Sequence, residues 1–142
     1  MPNCIICELI REERKVTKVY EDEMVIAVMD IQPVNAGHLF ISPKKHVELI
    51  SELDEEIGAH LFKTAMKLSN ALRKSGLKCE GVNLFLADGE VAMQEIPHVH
   101  LHVIPRITGD GFGLKFGGSY FDLPKREELE HSKDLIQKAL NQ

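Results

Sequence analysis

The sequence predicts an α+β fold: a five-stranded antiparallel sheet with a long helix and a C-terminal helix, the helices lying on one side of the sheet. Five short segments rich in β-branched and aromatic residues predict the strands, and two segments with apolar residues at helical spacing predict the helices. With 142 residues, 44% apolar and 27% charged, the chain suits a single globular domain spanning residues 1–142.

The first three strands are predicted in the N-terminal third of the chain. The segments "KVTKVYED" and "MVIAVMD" are rich in Val, Ile, Thr and Tyr and are separated by an acidic turn, so we expect a hairpin. The loop "IQPVNAG" follows, and its Pro33 and Gly37 break regular structure. The next segment, "HLFIS", alternates in the manner of a third strand and ends at Pro43.

The long helix is predicted from Asp54 to Ser75, where apolar residues recur at steps of three and four. Asp54 can cap its start and Gly76 its end. The segments "GVNLFLAD" and "HVHLHVIP" are the fourth and fifth strands, joined by the loop "GEVAMQEIP". After a glycine-rich stretch, a second amphipathic helix begins near Pro124.

Charge, hydropathy and cysteine usage exclude several classes of protein. No window approaches the ~20 apolar residues of a membrane span, and the N-terminus lacks the pattern of a secretory signal. A net charge of −5 without a large basic cluster argues against binding to duplex nucleic acid, whereas backbone N–H groups can still hold a single nucleotide. Three cysteines are too few for a disulfide framework, which favours a cytoplasmic location.

The most informative segment is "HVHLHV", in which three of the seven histidines occupy alternate positions. In a strand, His98, His100 and His102 would line one face, which we expect to be solvated, and the intervening apolar residues the other. The row could be a polar strand face, a metal site, or a nucleophile or base with its neighbours. Same-face neighbours lie ~6.5 to 7 Å apart, so one ion could not easily bind both ends. A nucleophile in the middle fits better.

This row, together with "CIIC", "MDIQPVNAGHLFISPKKH", "LADGEVAMQ" and "IPR", resembles the histidine triad (HIT) superfamily of nucleotide hydrolases and transferases. The chain is similar to the bacterial or archaeal type that has an N-terminal Cys-x-x-Cys. The resemblance implies a HIT-like fold, usually a homodimer, and cleavage at the α-phosphate of a nucleoside phosphoramidate or dinucleoside polyphosphate through a nucleotidyl-histidine intermediate. The implied substrate is a purine nucleotide, such as an adenosine or guanosine phosphate derivative, with no organic cofactor. A nucleotide-binding regulatory module that acts through a protein partner is the alternative.

The resemblance also assigns catalytic roles to three histidines. His100 is the implied nucleophile, and an imidazole suits this role because its pKa lies near neutrality. His102 and His38 fall at positions beside the phosphate and the leaving group. Considered without the resemblance, His38 could equally be a histidine at a strand end whose hydrogen bonds are made by the backbone.

The implied nucleotide-binding residues are Asp30, Ile31, Met93, Gln94 and His98. Asp30 would contact the ribose hydroxyls, with Ile31 beside the sugar or base. Met93 and Gln94 belong to the loop before the triad, whose backbone amides approach the α-phosphate in the family. By themselves, Asp30 could simply start a turn and Gln94 is only a loop residue.

Three positions depart from the family pattern: Ala87 replaces Asn, Met93 replaces Gly, and Glu95 replaces Ser or Thr. Ala87 donates no side-chain hydrogen bond, and Met93 restricts the backbone. Glu95 places a carboxylate near an anionic substrate, where we hypothesise that it holds a histidine or a leaving amine.

The "CIIC" pair has its own set of interpretations. Alone, a Cys-x-x-Cys fits a redox pair, half of a zinc site or two unligated thiols. The resemblance implies a structural zinc ion held by Cys4, Cys7, His46 and His98.

Overall fold

A computed structural model describes residues 3–142 of the chain. These residues form two compact units, the first ending at Gly111 and the second running from Phe112 to Gln142. Within residues 3–142, no helix is both long enough and apolar enough to cross a membrane. A single domain over residues 1–142 stays a prediction.

The first unit is built on a five-stranded antiparallel sheet, as predicted. The strands, in chain order, are β1 (Lys18–Glu21), β2 (Val25–Met29), β3 (Leu39–Pro43), β4 (Gly81–Phe85) and β5 (Leu101–Arg106). Their order across the sheet is β1-β2-β3-β5-β4, so β5 lies between β3 and β4. The expected hairpin is present, because β1 pairs antiparallel with β2.

The long helix α2 (Glu55–Lys74) covers one face of the sheet and confirms the predicted helix. The side chain of Asp54 accepts hydrogen bonds from the backbone N–H groups of Glu56 and Ile57, which satisfies the first turn. The helix buries its apolar stripe against alternate residues of β2, β3 and β5. The core on this face includes Val25, Ala27, Leu39, Ile41, Leu61, Ala65, Leu68, Leu72, Leu101 and Val103.

A short helix, α1 (Ile5–Ile10), was not predicted, and it packs on the opposite face of the sheet. Its Ile6 and Cys7 contact Ile26, Val28 and Phe40, whose side chains alternate with those that face α2. Six residues are too few to show a helical period in sequence. The expectation that the helices lie on one side of the sheet is therefore wrong for α1.

The histidine row lies on the α1 face, and its exposure differs from the expectation. His98 is 0% exposed and His100 is 7% exposed, whereas His102 is partly exposed, so the row is largely buried. Strand β5 also begins only at Leu101, because the backbone of Val99 bonds elsewhere: its N–H donates to the Val47 carbonyl and its carbonyl accepts from the Ser42 hydroxyl. The alternation of the side chains nevertheless continues through residues 98–103.

The second unit contains the helix α3 (Arg126–Leu140), which confirms the predicted C-terminal helix. A single 3-10 turn at Gly118–Phe121 precedes it. The rings of Phe116 and Tyr120 stack with their centroids 3.8 Å apart. Every residue of this unit is exposed, including the apolar stripe of α3.

Candidate functional site

The polar side chains on the α1 face form two clusters, with His100 between them. One cluster contains Asp30, His38 and His102, and the other contains the four residues implied as zinc ligands. The first cluster is held by the central strands: His38 directly precedes β3, Asp30 directly follows β2, and His102 lies within β5. The backbone N–H of Asp30 donates to the carbonyl of His38 at 3.0 Å, which holds the two loop ends together.

His100 presents an unprotonated ring nitrogen. Its Nδ1 lies 2.8 Å from the backbone carbonyl oxygen of His98, which can only accept a hydrogen bond. Nδ1 of the neutral ring therefore carries the proton, and Nε2 carries the lone pair. The edge of the Phe40 ring lies against the His100 ring, with 5.6 Å between centroids. This packing and the hydrogen bond together fix the orientation of the His100 ring and of its Nε2 atom.

His38 and His102 contact each other directly. His38 Nε2 lies 2.9 Å from His102 Nδ1, and Asp30 Oδ2 lies 3.5 Å from the first nitrogen and 3.7 Å from the second. Burial lowers the pKa of His102 from 6.5 to about 4, with the neighbouring His100 and His38 adding to the effect. Burial also lowers the pKa of His38, an effect that the Asp30 carboxylate opposes. Both rings are therefore neutral at pH 7.

The other implied nucleotide-binding residues lie in two loops. Asp30 does start a turn, because its Oδ1 accepts from the Gln32 N–H at 2.8 Å, while its Oδ2 faces the two histidines. Ile31 beside it is 92% exposed. The Gln94 side chain braces its own loop: its oxygen accepts from the Gly89 N–H, and its amide donates to the carbonyls of Glu48 and Ile96. The backbone N–H of Gln94 also bonds within the loop, since it donates to the Gly89 carbonyl at 3.1 Å.

The three departing positions occupy different environments. Met93 adopts φ +70° and ψ 29°, a left-handed conformation that favours glycine. Its side chain is exposed, as is that of Glu95, whereas Ala87 is buried. The restriction that the sequence suggested at Met93 is therefore present as backbone strain in the loop before the triad.

The second cluster brings together Cys4, Cys7, His46 and His98, whose potential ligand atoms all lie within 4.8 Å of one another. His98 Nδ1 is 3.3 Å from the Cys4 sulfur, 3.6 Å from the Cys7 sulfur and 3.2 Å from His46 Nδ1. The Cys7 sulfur is 3.4 Å from His46 Nδ1. A tetrahedral zinc ion places its nitrogen ligands about 3.3 Å from each other and about 3.6 Å from its sulfur ligands. The four residues therefore fit such an ion.

The surroundings of His98 also suit a metal ligand. Its Nε2 donates a hydrogen bond to the Pro43 carbonyl at 2.8 Å, which leaves the lone pair on Nδ1, the atom that faces the two sulfurs. The backbone carbonyl of the same residue accepts from His100. His98 thus contacts both the cysteine and histidine cluster, through its ring, and His100, through its backbone carbonyl.

Several supporting groups were not found by sequence reasoning. The backbone N–H of Val34 donates to His38 Nδ1, and the carbonyl of Pro43 accepts from His98 Nε2. The sequence gives no sign of such contacts, because every residue has a backbone carbonyl and all but proline have an N–H. Arg106, quoted only as part of "IPR", binds the carboxylate of Asp110 through two nitrogens. That carboxylate and the Pro105 carbonyl accept from the Asn35 amide, which anchors the loop before His38.

Comparison with known proteins matches residues 11–109 to the model of the HIT domain. This span contains the histidine row but neither the cysteine pair nor the second unit. An uncharacterized HIT-like protein of Borreliella burgdorferi is 40% identical over 131 residues, covering 91% of this chain and 94% of that protein. The adenylylsulfatase HINT3 of Arabidopsis thaliana is 35% identical over 108 residues, covering 76% of this chain and 54% of that protein.

Two solved structures are also similar. The crystal structure of a HIT family member from Bacillus subtilis superposes with a TM-score of 0.86 at 37% identity, covering 96% of each chain. A zinc-bound histidine triad family protein from Mycobacterium smegmatis gives a TM-score of 0.75 at 30% identity, covering 96% of this chain and 97% of that one.

Proposed function

This chain belongs to the HIT family, and on that premise we propose that it is a nucleotide hydrolase or transferase that cleaves its substrate at the α-phosphate through a nucleotidyl-His100 intermediate. The proposed substrates are nucleoside phosphoramidates or dinucleoside polyphosphates with a purine base. The relative named adenylylsulfatase supports a substrate that carries an adenylyl group.

The observation that carries this proposal is the hydrogen bond from His100 Nδ1 to the His98 carbonyl. An imidazole can act as a nucleophile only through a nitrogen that carries a lone pair. The hydrogen bond places the ring proton on Nδ1, so Nε2 can attack without first losing a proton. A histidine that served only to bind an anion would instead present an N–H group.

The proposed reaction has two steps. In the first step, a bond forms between His100 Nε2 and the α-phosphorus as the bond to the leaving amine or phosphate breaks. In the second step, a water molecule attacks the phosphorus, the N–P bond breaks, and the nucleoside monophosphate leaves. His102 and His38 are proposed beside the phosphate and leaving group, and Asp30 and Ile31 beside the sugar. The loop of Met93 and Gln94 is proposed to lie beside the α-phosphate, although the backbone N–H groups of both residues donate within the loop, to the carbonyls of Glu90 and Gly89.

We further propose that Cys4, Cys7, His46 and His98 hold a structural zinc ion. The donor spacing supports it, and so does the zinc-bound relative from Mycobacterium smegmatis. A bound zinc would neutralise the two thiolates and tie α1 to the chain around His98, which stabilises the fold instead of taking part in the reaction. In this arrangement His98 supports the nucleophile through its carbonyl and is not itself catalytic.

Assembly and location are also proposed. A homodimer is the usual state of the family that the sequence resembles. None of Cys4, Cys7 and Cys79 forms a disulfide bond, which supports a reducing compartment, the cytoplasm.

The test is turnover of adenosine and guanosine phosphoramidates and dinucleoside polyphosphates by the wild type and by His100→Asn. We expect turnover by the wild type, a loss of at least about 1,000-fold in kcat for the variant, and a nucleotidyl adduct on the wild type in acid-free mass spectrometry. His131→Asn, in the exposed helix α3, is the matched control and keeps full activity. Equal turnover by His100→Asn contradicts the proposal, and tight nucleotide binding without turnover by the wild type favours the regulatory module.

A further inference from the structure

The loop between β2 and β3, residues 30–38, carries Asp30 and Ile31, the two residues proposed beside the sugar. Its outer part, residues 31–36, is described in full and contains no buried side chain. A loop with so little apolar packing opens easily unless polar contacts hold it. Within this outer part, Asn35 is the residue whose side chain forms hydrogen bonds with groups outside the loop.

The Asn35 side-chain amide is held by two acceptors at the end of β5. Its Nδ2 lies 2.9 Å from the Pro105 carbonyl oxygen and 2.8 Å from Asp110 Oδ2. The carbonyl can only accept a hydrogen bond, and so can a carboxylate that is paired with Arg106. Each hydrogen of the amide therefore has its own acceptor, and the orientation of the amide is fixed. An aspartate of the same shape could not replace this residue, because its oxygen would face two other acceptors.

Asp110 is a firmly held anchor for this amide. Its side chain is 4% exposed, and its two oxygens accept from Nε and Nη2 of Arg106, both at 2.7 Å. A paired contact of this kind fixes the orientation of the carboxylate and is stronger than a contact between neutral groups. The remaining nitrogen of Arg106, Nη1, donates to Asn83 Oδ1 at 2.6 Å. Because Asn83 lies in β4 and Arg106 in β5, Asn35 ties the loop to two strands of the sheet.

The proposed nucleophile is positioned by a different set of contacts. His100 directly precedes β5, and its ring is oriented by the Phe40 ring and by the His98 carbonyl. None of these groups belongs to the 30–38 loop. The residues proposed beside the sugar and the ring proposed to attack the phosphorus can therefore be perturbed separately.

We propose that Asn35 is a positioning residue that holds the 30–38 loop in its nucleoside-binding conformation, with the Arg106–Asp110 pair as its anchor. For the identity of the ligand, this role rests on the proposed function. Without the two hydrogen bonds of Asn35, the loop adopts other conformations for part of the time. The apparent affinity for the nucleotide then falls in proportion to the fraction of molecules that keep the binding conformation, whereas the chemical step in the bound complex is retained.

The test makes the same substitution at two positions that contact the Arg106–Asp110 pair. Asn35→Asp replaces a donor by an oxygen that faces the Asp110 carboxylate and the Pro105 carbonyl, whereas Asn83→Asp keeps the oxygen that accepts from Arg106. Both variants add one negative charge, so Asn83→Asp controls for repulsion of an anionic nucleotide. We expect Asn35→Asp to raise KM, and the Kd of adenosine monophosphate measured by calorimetry, by about 10-fold, with kcat within about 3-fold of the wild type. Asn83→Asp should change each quantity less than about 2-fold, and Asn35→Ala, which loses the hydrogen bonds without the repulsion, should fall between the two.

Amide hydrogen exchange of the same variants needs no turnover. We expect faster exchange in peptides that cover residues 30–38 of both Asn35 variants, while unchanged exchange in α2 shows that the chain is folded. Wild-type KM and Kd in the Asn35 variants would overturn the proposal, as would an equal rise in Asn83→Asp or a loss confined to kcat. A wild type that turns over no nucleotide removes the proposed function and the nucleoside role together. The exchange data then decide separately whether Asn35 holds the loop.

Discussion

Gly37, directly before His38, offers a sharp test of how the fold positions the site. Its backbone has φ +99°, which L-residues avoid. A Cβ added there would lie 2.9 Å from Leu72 Cδ2, 3.0 Å from Leu77 Cδ1 and 3.4 Å from Pro105 Cγ. The substitution Gly37→Ala therefore combines backbone strain with crowding against α2 and β5.

The expected loss of stability is the sum of these two effects. A residue forced into the left-handed region costs about 1 kcal/mol. The crowding adds about 1 to 2 kcal/mol, because Leu72 is buried and has little room to move even though Leu77 is exposed. We therefore expect Gly37→Ala to lower the free energy of unfolding by about 2 to 3 kcal/mol.

Two other glycines provide matched controls. Gly76 has φ +87° with nothing within 4 Å of an added Cβ, so Gly76→Ala should lose only the strain, about 1 kcal/mol. Gly58 lies in α2 and its added Cβ would make an ordinary 3.6 Å contact with Leu53, so Gly58→Ala should be neutral or stabilise by about 0.5 kcal/mol. Urea denaturation measures all three. Equal losses at Gly37 and Gly76 would refute the role of crowding.

Three further predictions address the metal cluster, pH and the loop before His38. Cys7→Ser should lower bound zinc from about one per chain to well below half, measured by elemental analysis, and should reduce the melting temperature, measured by calorimetry. Cys79→Ser, outside the cluster, should change neither quantity. Because the folded pKa of His102 is about 4, below its ordinary 6.5, the unfolded chain binds a proton first as the pH falls. The contribution of His102 to the free energy of unfolding should decrease by about 3 kcal/mol from pH 6.5 to 4, so the wild type should lose more stability over this range than His102→Asn. Asp110→Asn should lower the midpoint of urea denaturation, since it weakens the paired hydrogen bonds of Arg106; an unchanged midpoint would contradict this.

Much of the fold could be predicted because its signals are local. The period of the apolar residues in α2, the cap at Asp54 and the composition of the five strands all lie within short segments, and each element was found. The exception, α1, is too short to show a period, and its N-cap is Cys4, whose sulfur accepts from the N–H of Cys7. Its formation depends on packing against Ile26, Val28 and Phe40, which are distant in sequence.

The candidate site could also be predicted only in part from the sequence. Alternation in "HVHLHV" placed the three histidines on one face, but it suggested a solvated row where burial is nearly complete at His98. Asp30 makes two kinds of contact: one carboxylate oxygen accepts a hydrogen bond in a turn, and the other faces His38 and His102. Gln94, expected near phosphate, uses its side chain to brace its loop.

The sequence by itself determined which residues are available for chemistry: a row of imidazoles, a cysteine pair, and the strand pattern that puts them on one face. Only the tertiary structure decided where the protons lie. Those positions depend on single backbone groups, the carbonyl of His98, the carbonyl of Pro43 and the N–H of Val34. Every residue except proline has the same backbone N–H and carbonyl groups, so the sequence cannot show which of them meets a given ring. The fold makes that choice, and it gives three identical side chains different hydrogen-bond partners.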